Sequence, residues 1–122
     1  MIKMTYCLRR LPNLSREAFQ EYWLQQHGPL VRRLAPALQI RRYVQVHTAG
    51  DPINDAMRKS RGAPEAYDGV AELWFDSREA MVAGSTSPEG KAAMAALRED
   101  EARFIDRAQS PVWFGEEHAL VE

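Results

Sequence analysis

Polar and apolar positions alternate at the start of the chain. Every second residue from position 2 to position 8 is apolar, the spacing of a strand with one buried face: Ile2, Met4, Tyr6 and Leu8. This pattern predicts a first strand over residues 2–10. Three later segments are also typical of strands, because they are rich in β-branched and aromatic residues. These are QIRRYVQVHT over 39–48, GVAELWF over 69–75 and SPVWF over 110–114.

Between the first two strands the apolar period changes from two to three or four. Ser15 is a good N-cap, and Leu14 and Phe19 stand at the two positions of a hydrophobic staple. An aromatic stripe follows, with two polar members: Phe19, Tyr22, Trp23, Gln26, His27 and Leu30. Pro29 has no amide hydrogen, and its ring clashes with the carbonyl of Gln25. The pattern therefore predicts a helix from Ser15 that kinks or stops at Gly28-Pro29, with a second segment to about residue 34.

The C-terminal half predicts two further helices. Asp76 or Ser77 caps a short one that breaks around residues 84–87, and Ser87 with Pro88 opens a longer one that runs to about residue 107. The connection over residues 50–68 is unusually long. It has room for one helical turn, and it is either a lid over a pocket or a solvated loop.

The order β-α-β-β-α-β predicts the fold class. It is typical of an α+β, ferredoxin-like fold in which two helices cover one face of a four-stranded antiparallel sheet, as a single domain over residues 1–122. The other face carries too many Val, Tyr, Trp and Phe side chains to stand in water. A second copy of the chain is the economical cover, so we expect a homodimer with the architecture of a dimeric α+β barrel.

Composition and charge exclude several classes of partner. Sixteen basic and seventeen acidic residues give a net charge of -1, which favours neither nucleic acid nor an anionic membrane as a partner. No signal-like leader and no membrane-spanning apolar run is present, so we expect a cytoplasmic protein. Cys7, the single cysteine, is expected to be a buried, inert thiol.

No cofactor or metal is predicted. The spacing of the three histidines fits no metal-ligand motif, and phosphate loops and dinucleotide fingerprints are absent. No feature of the sequence singles out haem.

His27 is the strongest candidate for chemistry. Its side chain has the unperturbed pKa nearest to neutrality, and it lies where the helix is expected to break. It is either a general acid/base or a structural histidine bonded to a freed carbonyl. Asp100 lies in the apolar stripe of the last helix, between Leu97 and Phe104. Such a carboxylate must pair, so Asp100 is either the partner of an arginine or an acid/base that works with His27.

Several aromatic residues are candidates for a binding pocket. Tyr6, Tyr22 and Tyr43 are able to donate a proton or orient a carbonyl, and Trp23 and Trp74 offer flat apolar walls. For each residue alone, core packing is the simpler interpretation. Together they match the usual lining of a small-molecule site. Glu72, beside Trp74, is expected to pair with an arginine such as Arg42.

Two separated motifs resemble those of the EthD-domain family. The first is Phe19, Tyr22-Trp23 and His27-Gly28-Pro29-Leu30, preceded by RRLPNLS over residues 9–15. The second is YDGVAELWFDS over residues 67–77, and a further similarity lies at Asp100-Glu101 with FID over 104–106. The resemblance implies a dimeric α+β barrel like those of antibiotic-biosynthesis monooxygenases and small polyketide cyclases. It also implies oxidoreductase activity, or the decarboxylase or dehydratase activity assigned to some fungal relatives.

These observations predict a cofactor-independent enzyme that acts on a small hydrophobic, aromatic or polyketide-like compound between helices and sheet. His27 would be the acid/base, assisted by Asp100 or Tyr22. The predicted binding residues are Tyr6, Trp23, Gln26, Tyr43 and Trp74. Oxidation by O2, decarboxylation, dehydration and cyclisation all remain open, since each uses such a group in a dry pocket. The alternative is a non-catalytic protein that binds a hydrophobic intermediate or supports an oxygenase, and a filled core would leave only a structural dimer.

Overall fold

Four strands and five α-helices form the fold in the computed structural model, which describes residues 1–122. The strands are β1 (Ile2–Leu8), β2 (Arg42–His47), β3 (Gly69–Phe75) and β4 (Val112–Gly115), and the helices are α1 (Arg16–Tyr22), α2 (Gly28–Leu38), α3 (Pro52–Arg61), α4 (Arg78–Thr86) and α5 (Pro88–Glu101). All strand pairs are antiparallel, in the order β2-β3-β1-β4. This confirms the predicted α+β, ferredoxin-like fold. None of the helices has the length and apolar character needed to cross a bilayer.

The core lies between the helices and one face of the sheet. The register pairs Tyr6 with Ala71 and Tyr43 with Leu73, so the side chains of these residues share the inner face. The first helical segment packs on that face through Phe19 and Trp23, which are almost completely buried. A second cluster joins α2 to α5: Val31, Leu38, Ala93 and Leu97.

The first helix does not stop at Gly28-Pro29, so that alternative is wrong, and its irregularity lies one turn earlier. A π-helical turn over Trp23–His27 joins α1 to α2, and Gly28 keeps right-handed helical angles (φ -54°, ψ -50°). The Gly28 amide donates to the Trp23 carbonyl five residues back. Pro29 lies in the first turn of α2, where its missing amide hydrogen is tolerated. The helix therefore absorbs the proline by widening one turn.

Gln45 on β2 stabilises this widened turn. Its Nε2 donates to the Trp23 carbonyl (2.9 Å) and to the Tyr43 hydroxyl (2.7 Å). A Cβ on Gly28 would lie 3.2 Å from the same Nε2, a tight contact. Gly28 therefore leaves room for the close approach of Gln45 and does not end a helix.

The π-turn also explains which residues of the stripe are buried. Phe19, Trp23, His27 and Val31 are buried at strict intervals of four residues. In a regular α-helix that interval drifts by about 40° per step, so such a stripe would turn away from the sheet. A π-turn has more residues per turn and reverses part of the drift. Gln26, expected in this stripe, is exposed instead.

Two C-terminal and loop expectations need correction. Helix α5 ends at Glu101 rather than near residue 107, and a 3-10 turn over Arg107–Gln109 follows. The segment over residues 50–68 contains the ten-residue helix α3, which Asp51 caps and which buries none of its residues. This is more structure than the single turn expected there.

The outer face of the sheet carries the residues that alternate with the core. Its most exposed apolar members are Val46 and Trp113, at 49% and 51% of full accessibility. Glu72 pairs with Lys3 (2.5 Å) rather than with Arg42. Arg42 instead stacks on the ring of Trp74, 4.6 Å from its centroid. Cys7, expected to be buried, is only half-buried on this face.

Asp68 connects β1, α1 and β3. Its carboxylate is fully buried and accepts from the backbone N–H of Arg10 (2.8 Å), from the Arg10 guanidinium and from Nε of Arg16 (3.0 Å). Its backbone carbonyl accepts from the amide of Thr48 and the side chain of Gln20. One residue thus holds the start of the first helix against the sheet.

We predict that Asp68→Asn lowers the free energy of unfolding by about 2–4 kcal/mol, because charged hydrogen bonds to a buried carboxylate are lost. The control is Asp76→Asn, which breaks the exposed Arg41–Asp76 pair and should cost less than about 1 kcal/mol. Urea unfolding of both variants measures the difference. Equal losses would contradict a special role for Asp68.

Candidate active site

A cavity of about 410 Å³ lies between the helices and the inner face of the sheet. Its lining is mostly apolar, and it includes three of the predicted binding residues: Tyr6, Trp23 and Tyr43. Besides the two tyrosines from the sheet, five polar residues line it from the helices and the 3-10 turn: His27, Ser85, Arg98, Glu101 and Arg107. A space of this size and make-up is typical of small-molecule sites, which are concave, apolar and carry a few convergent polar groups.

His27 and Asp100 form a buried pair at the cavity wall. His27 Nδ1 lies 2.7 Å from Oδ2 of Asp100, and both residues are only 6% exposed. The carboxylate accepts, so Nδ1 carries the hydrogen and Nε2 is left unprotonated in the neutral ring. Nε2 has no hydrogen-bond partner in the protein, and no unpartnered polar side-chain atom is sealed from solvent. His27 thus presents a free, accessible nitrogen at the cavity.

Asp100 is held by three donors. Besides His27, the Tyr22 hydroxyl donates to Oδ1 (2.6 Å) and so does Nη1 of Arg103 (3.0 Å). Burial on its own would raise the pKa of Asp100, but the bonds from Tyr22, His27 and Arg103 outweigh it and hold the pKa below its usual range. Asp100 therefore stays ionised beside His27.

Two elements bring this pair together. The π-turn directs His27 inward from the first helix, and the last turn of α5 carries Asp100. Phe104 packs against the His27 ring with centroids 5.0 Å apart and is itself fully buried. The ring is therefore fixed on one side by packing and on the other by a charged hydrogen bond.

A polar chain on β2 extends away from Tyr43, which lines the cavity. Gln45 contacts both Tyr43 and the Trp23 carbonyl, and its Oε1 lies 2.8 Å from Nε2 of His47. The His47 ring stacks on Trp23 with centroids 4.4 Å apart, and burial lowers the pKa of His47. Burial also raises the pKa of Tyr43. Both groups are thereby favoured in their neutral forms.

The structure brings together some of the predicted site residues and separates others. His27, Tyr6, Trp23 and Tyr43 line the cavity, and Asp100 and Tyr22 stand behind His27. Gln26 is exposed outside it. Trp74 lies on the outer face of the sheet, since it alternates with Leu73 and Phe75, which line the cavity. None of residues 50–68 lines the cavity.

Glu101 was not singled out as a site residue from the sequence. Its Oε1 accepts from the Tyr6 hydroxyl (3.2 Å), and it lines the cavity. The available signal was its position four residues after Leu97, on the buried stripe of α5. No cluster of three or more His, Cys, Asp or Glu side chains is arranged to hold a metal ion.

Comparisons with known proteins agree with this architecture. The model of the EthD domain matches residues 11–108. An EthD family protein from Bacillus halodurans C-125 has 21% identity and a TM-score of 0.63, over 97% of this chain and 100% of that one. A dimeric ferredoxin-like protein of unknown function from Thermobifida fusca YX has 16% identity and a TM-score of 0.57, over 95% and 90%. SnoaB, a cofactor-independent oxygenase from Streptomyces nogalater, has 11% identity and a TM-score of 0.57, over 99% and 97%. No curated protein sequence matches the chain.

We predict that Asp100→Asn destabilises the protein by about 1–3 kcal/mol at neutral pH, because a charged acceptor of three hydrogen bonds is lost. The pKa of Asp100 is lowered from 3.8 in the folded state. Its contribution to stability is therefore present above pH 3.8 and is lost as the pH falls through the folded-state pKa.

Thermal melts of both proteins from pH 7 to pH 2 test this expectation. The difference in melting temperature between wild type and Asp100→Asn should shrink on the acid side. Asp55→Asn, in the exposed first turn of α3, should cost less than about 1 kcal/mol throughout this range. A difference in melting temperature that stays constant with pH would mean that the lost stability does not come from the charge of the Asp100 carboxylate.

Proposed function

This chain belongs to the EthD domain family, and from that premise we propose that it is an acid/base enzyme acting on a small hydrophobic, aromatic compound. The compound would bind in the cavity between helices and sheet, where Nε2 of His27 would remove a proton from it. The observation that carries this proposal is the free Nε2 at the cavity, backed by the bond from Nδ1 to Asp100.

The geometry of the pair supports a basic role for His27. A carboxylate on Nδ1 fixes the tautomer and stabilises the imidazolium that forms when Nε2 takes a proton. A histidine with both ring nitrogens bonded within the protein would have none left for a substrate. Here one nitrogen is bonded to Asp100 and the other has no partner.

The cavity supports a small hydrophobic substrate. Its volume of about 410 Å³ is at the lower end of the range for small-molecule sites, which suits a compound of two or three fused rings. Trp23 and Tyr43 supply aromatic contact surface. In such an apolar space a proton transfer proceeds without competing water.

Oxidation by O2 is the reaction that we propose follows proton removal. Loss of a proton converts an aromatic hydroxyl or an enolisable ketone into an electron-rich anion, which is able to react directly with O2. The similarity in fold to SnoaB, a cofactor-independent oxygenase, favours this outcome over decarboxylation or cyclisation.

A homodimer is the second part of the proposal. The outer face of the sheet is unpartnered in one chain, and it carries exposed Val46 and Trp113 around the buried Trp74. Two proteins of the same fold, from Thermobifida fusca and Bacteroides fragilis, are described as dimeric. Pairing of two outer faces would leave the cavity of each protomer on the helical side.

We predict that His27→Ala slows proton removal by about 10²–10⁴-fold, the usual contribution of a general base. Anthrone, which has an acidic C–H group and three fused rings, is the probe. Exchange of its C–H hydrogens in D2O and uptake of O2 measure the reaction, and a thermal shift measures binding. The control is His118→Ala in the exposed tail, which should keep the full rate.

An unchanged rate in His27→Ala would contradict the catalytic role of this residue. Binding of anthrone by the wild type without any faster exchange or O2 uptake would instead support the non-catalytic binding protein. Binding that is retained in His27→Ala while the rate is lost is the expected result.

We predict that the wild type sediments as a dimer at micromolar concentration and that Val46→Lys dissociates it, because an unpaired charge would be buried between the two sheets. Val82→Lys is the matched control, since Val82 is 39% exposed on α4, on the helical side. Analytical ultracentrifugation distinguishes the species. A wild type that sediments as a monomer would contradict the proposed homodimer.

A further inference from the structure

Glu101 is the only carboxylic acid among the residues that line the cavity. It lies next to Asp100 at the end of α5, and the two side chains diverge because successive residues of a helix are about 100° apart. Asp100 bonds to His27 from behind, whereas Glu101 lines the cavity itself. The two neighbours therefore have different surroundings.

The contacts of Glu101 leave one of its oxygens free. Oε1 accepts from the Tyr6 hydroxyl (3.2 Å), which comes from β1 at the floor of the cavity. Oε2 has no partner in the protein, and it is accessible because no unpartnered polar side-chain atom is sealed. A protonated Glu101 would thus have a hydrogen to donate to a ligand.

The surroundings of Glu101 favour that protonated form. Burial raises the pKa of Glu101, and the opposing effects of His27, the Tyr6 bond and two arginines do not cancel the rise. No cation lies close enough to form an ion pair with it. The charged and titratable groups that face it are His27 from the π-turn, Tyr6 from β1, Tyr43 from β2, Arg98 from its own helix and Arg107 from the 3-10 turn.

We infer that Glu101 is a second catalytic residue of this site and that the substrate is an enolisable carbonyl compound. Glu101 would hydrogen-bond the carbonyl oxygen while His27 removes the proton from a carbon that is conjugated with this carbonyl, either directly or through an aromatic ring. This inference rests on the proposed function of His27. It assigns the two ends of the substrate to two groups on different elements of the fold.

The step balances without an oxidant. The C–H bond breaks and its proton goes to Nε2 of His27, while the electron pair forms a carbon–carbon double bond. The π electrons of the carbonyl move to its oxygen, which takes the proton of Glu101. The product at this stage is the enol, with an imidazolium at His27 and a carboxylate at Glu101. Loss of a proton from the imidazolium to solvent and uptake of a proton by the Glu101 carboxylate restore both groups and leave the enol as the product.

The test compares Glu101→Gln with the wild type on anthrone, in which the acidic C–H group and the carbonyl lie on opposite sides of one ring. Glutamine keeps the shape and an acceptor for Tyr6, but it has no acidic proton. We expect C–H exchange to slow by about 10²-fold, the usual loss for a donor to a developing oxyanion. Glu89→Gln makes the same side-chain substitution at an exposed residue near the start of the same helix and should keep the full rate.

The dependence of the exchange rate on pH distinguishes a catalytic from a structural role of Glu101, because a purely structural residue would not change the shape of this profile. The wild type should show a bell-shaped rate profile, because His27 must be neutral and Glu101 protonated. In Glu101→Gln the fall on the alkaline side should disappear, and the rise on the acidic side should remain. Thermal melts verify that the variant folds.

Failure of this inference is distinct from failure of the proposed function. Loss of exchange in His27→Ala, together with an unchanged rate and profile in Glu101→Gln, would overturn the role of Glu101 alone. An unchanged rate in His27→Ala would overturn the proposed function and, with it, the role of Glu101. A bell-shaped profile retained in Glu101→Gln would likewise assign the alkaline fall to another group and contradict the inference.

Discussion

The π-helical turn over Trp23–His27 is the constraint on which the site depends. It keeps residues four apart on the inner side of a long helix, so that Trp23 closes the cavity and His27 borders it. The turn has a local cause in Pro29, which donates no backbone hydrogen bond, and a tertiary one in Gln45, which donates to the Trp23 carbonyl. π-turns of this kind are frequent at functional sites, and here the irregularity places His27 on the inner side of the helix, at the cavity.

The site places neighbouring carboxylates in different electrostatic surroundings. Asp100 accepts three hydrogen bonds and is held in its charged form, whereas Glu101 is desolvated and meets only the Tyr6 hydroxyl. The same helix end therefore carries one carboxylate held in its charged form behind His27 and a second carboxyl group with a raised pKa in the cavity. Paired groups with opposite pKa tendencies are typical of acid/base sites, and structural ion-pair networks are the other common source of such shifts.

Most of the fold could be predicted from the sequence because its signals are local. Alternation predicted β1, and the content of β-branched and aromatic residues predicted the other three strands. The caps at Ser15, at Asp76 or Ser77, and at Ser87 predicted three helix starts, of which Ser77 is the observed cap of α4. The π-turn could not be predicted, since the Gln45 amide that stabilises it is distant in the chain. Trp74 was expected in the cavity because alternation defines two faces of a strand without saying which one the helices cover. Glu101 was missed although its spacing from Leu97 placed it on the buried stripe of α5. The neighbouring Asp100 was chosen instead, because a charged side chain between Leu97 and Phe104 was the more evident exception on that apolar stripe.

The central claim is that His27 presents an unprotonated Nε2 to the cavity while Nδ1 is bonded to Asp100. The ¹⁵N chemical shifts of the His27 ring, recorded with and without a bound aromatic ligand, test it most directly. The account predicts a protonated Nδ1 and a bare Nε2 in the free protein, with the Nε2 resonance shifting when a ligand binds. A ring protonated on Nε2, or an Nε2 resonance that does not respond to a ligand bound in the cavity, would contradict it.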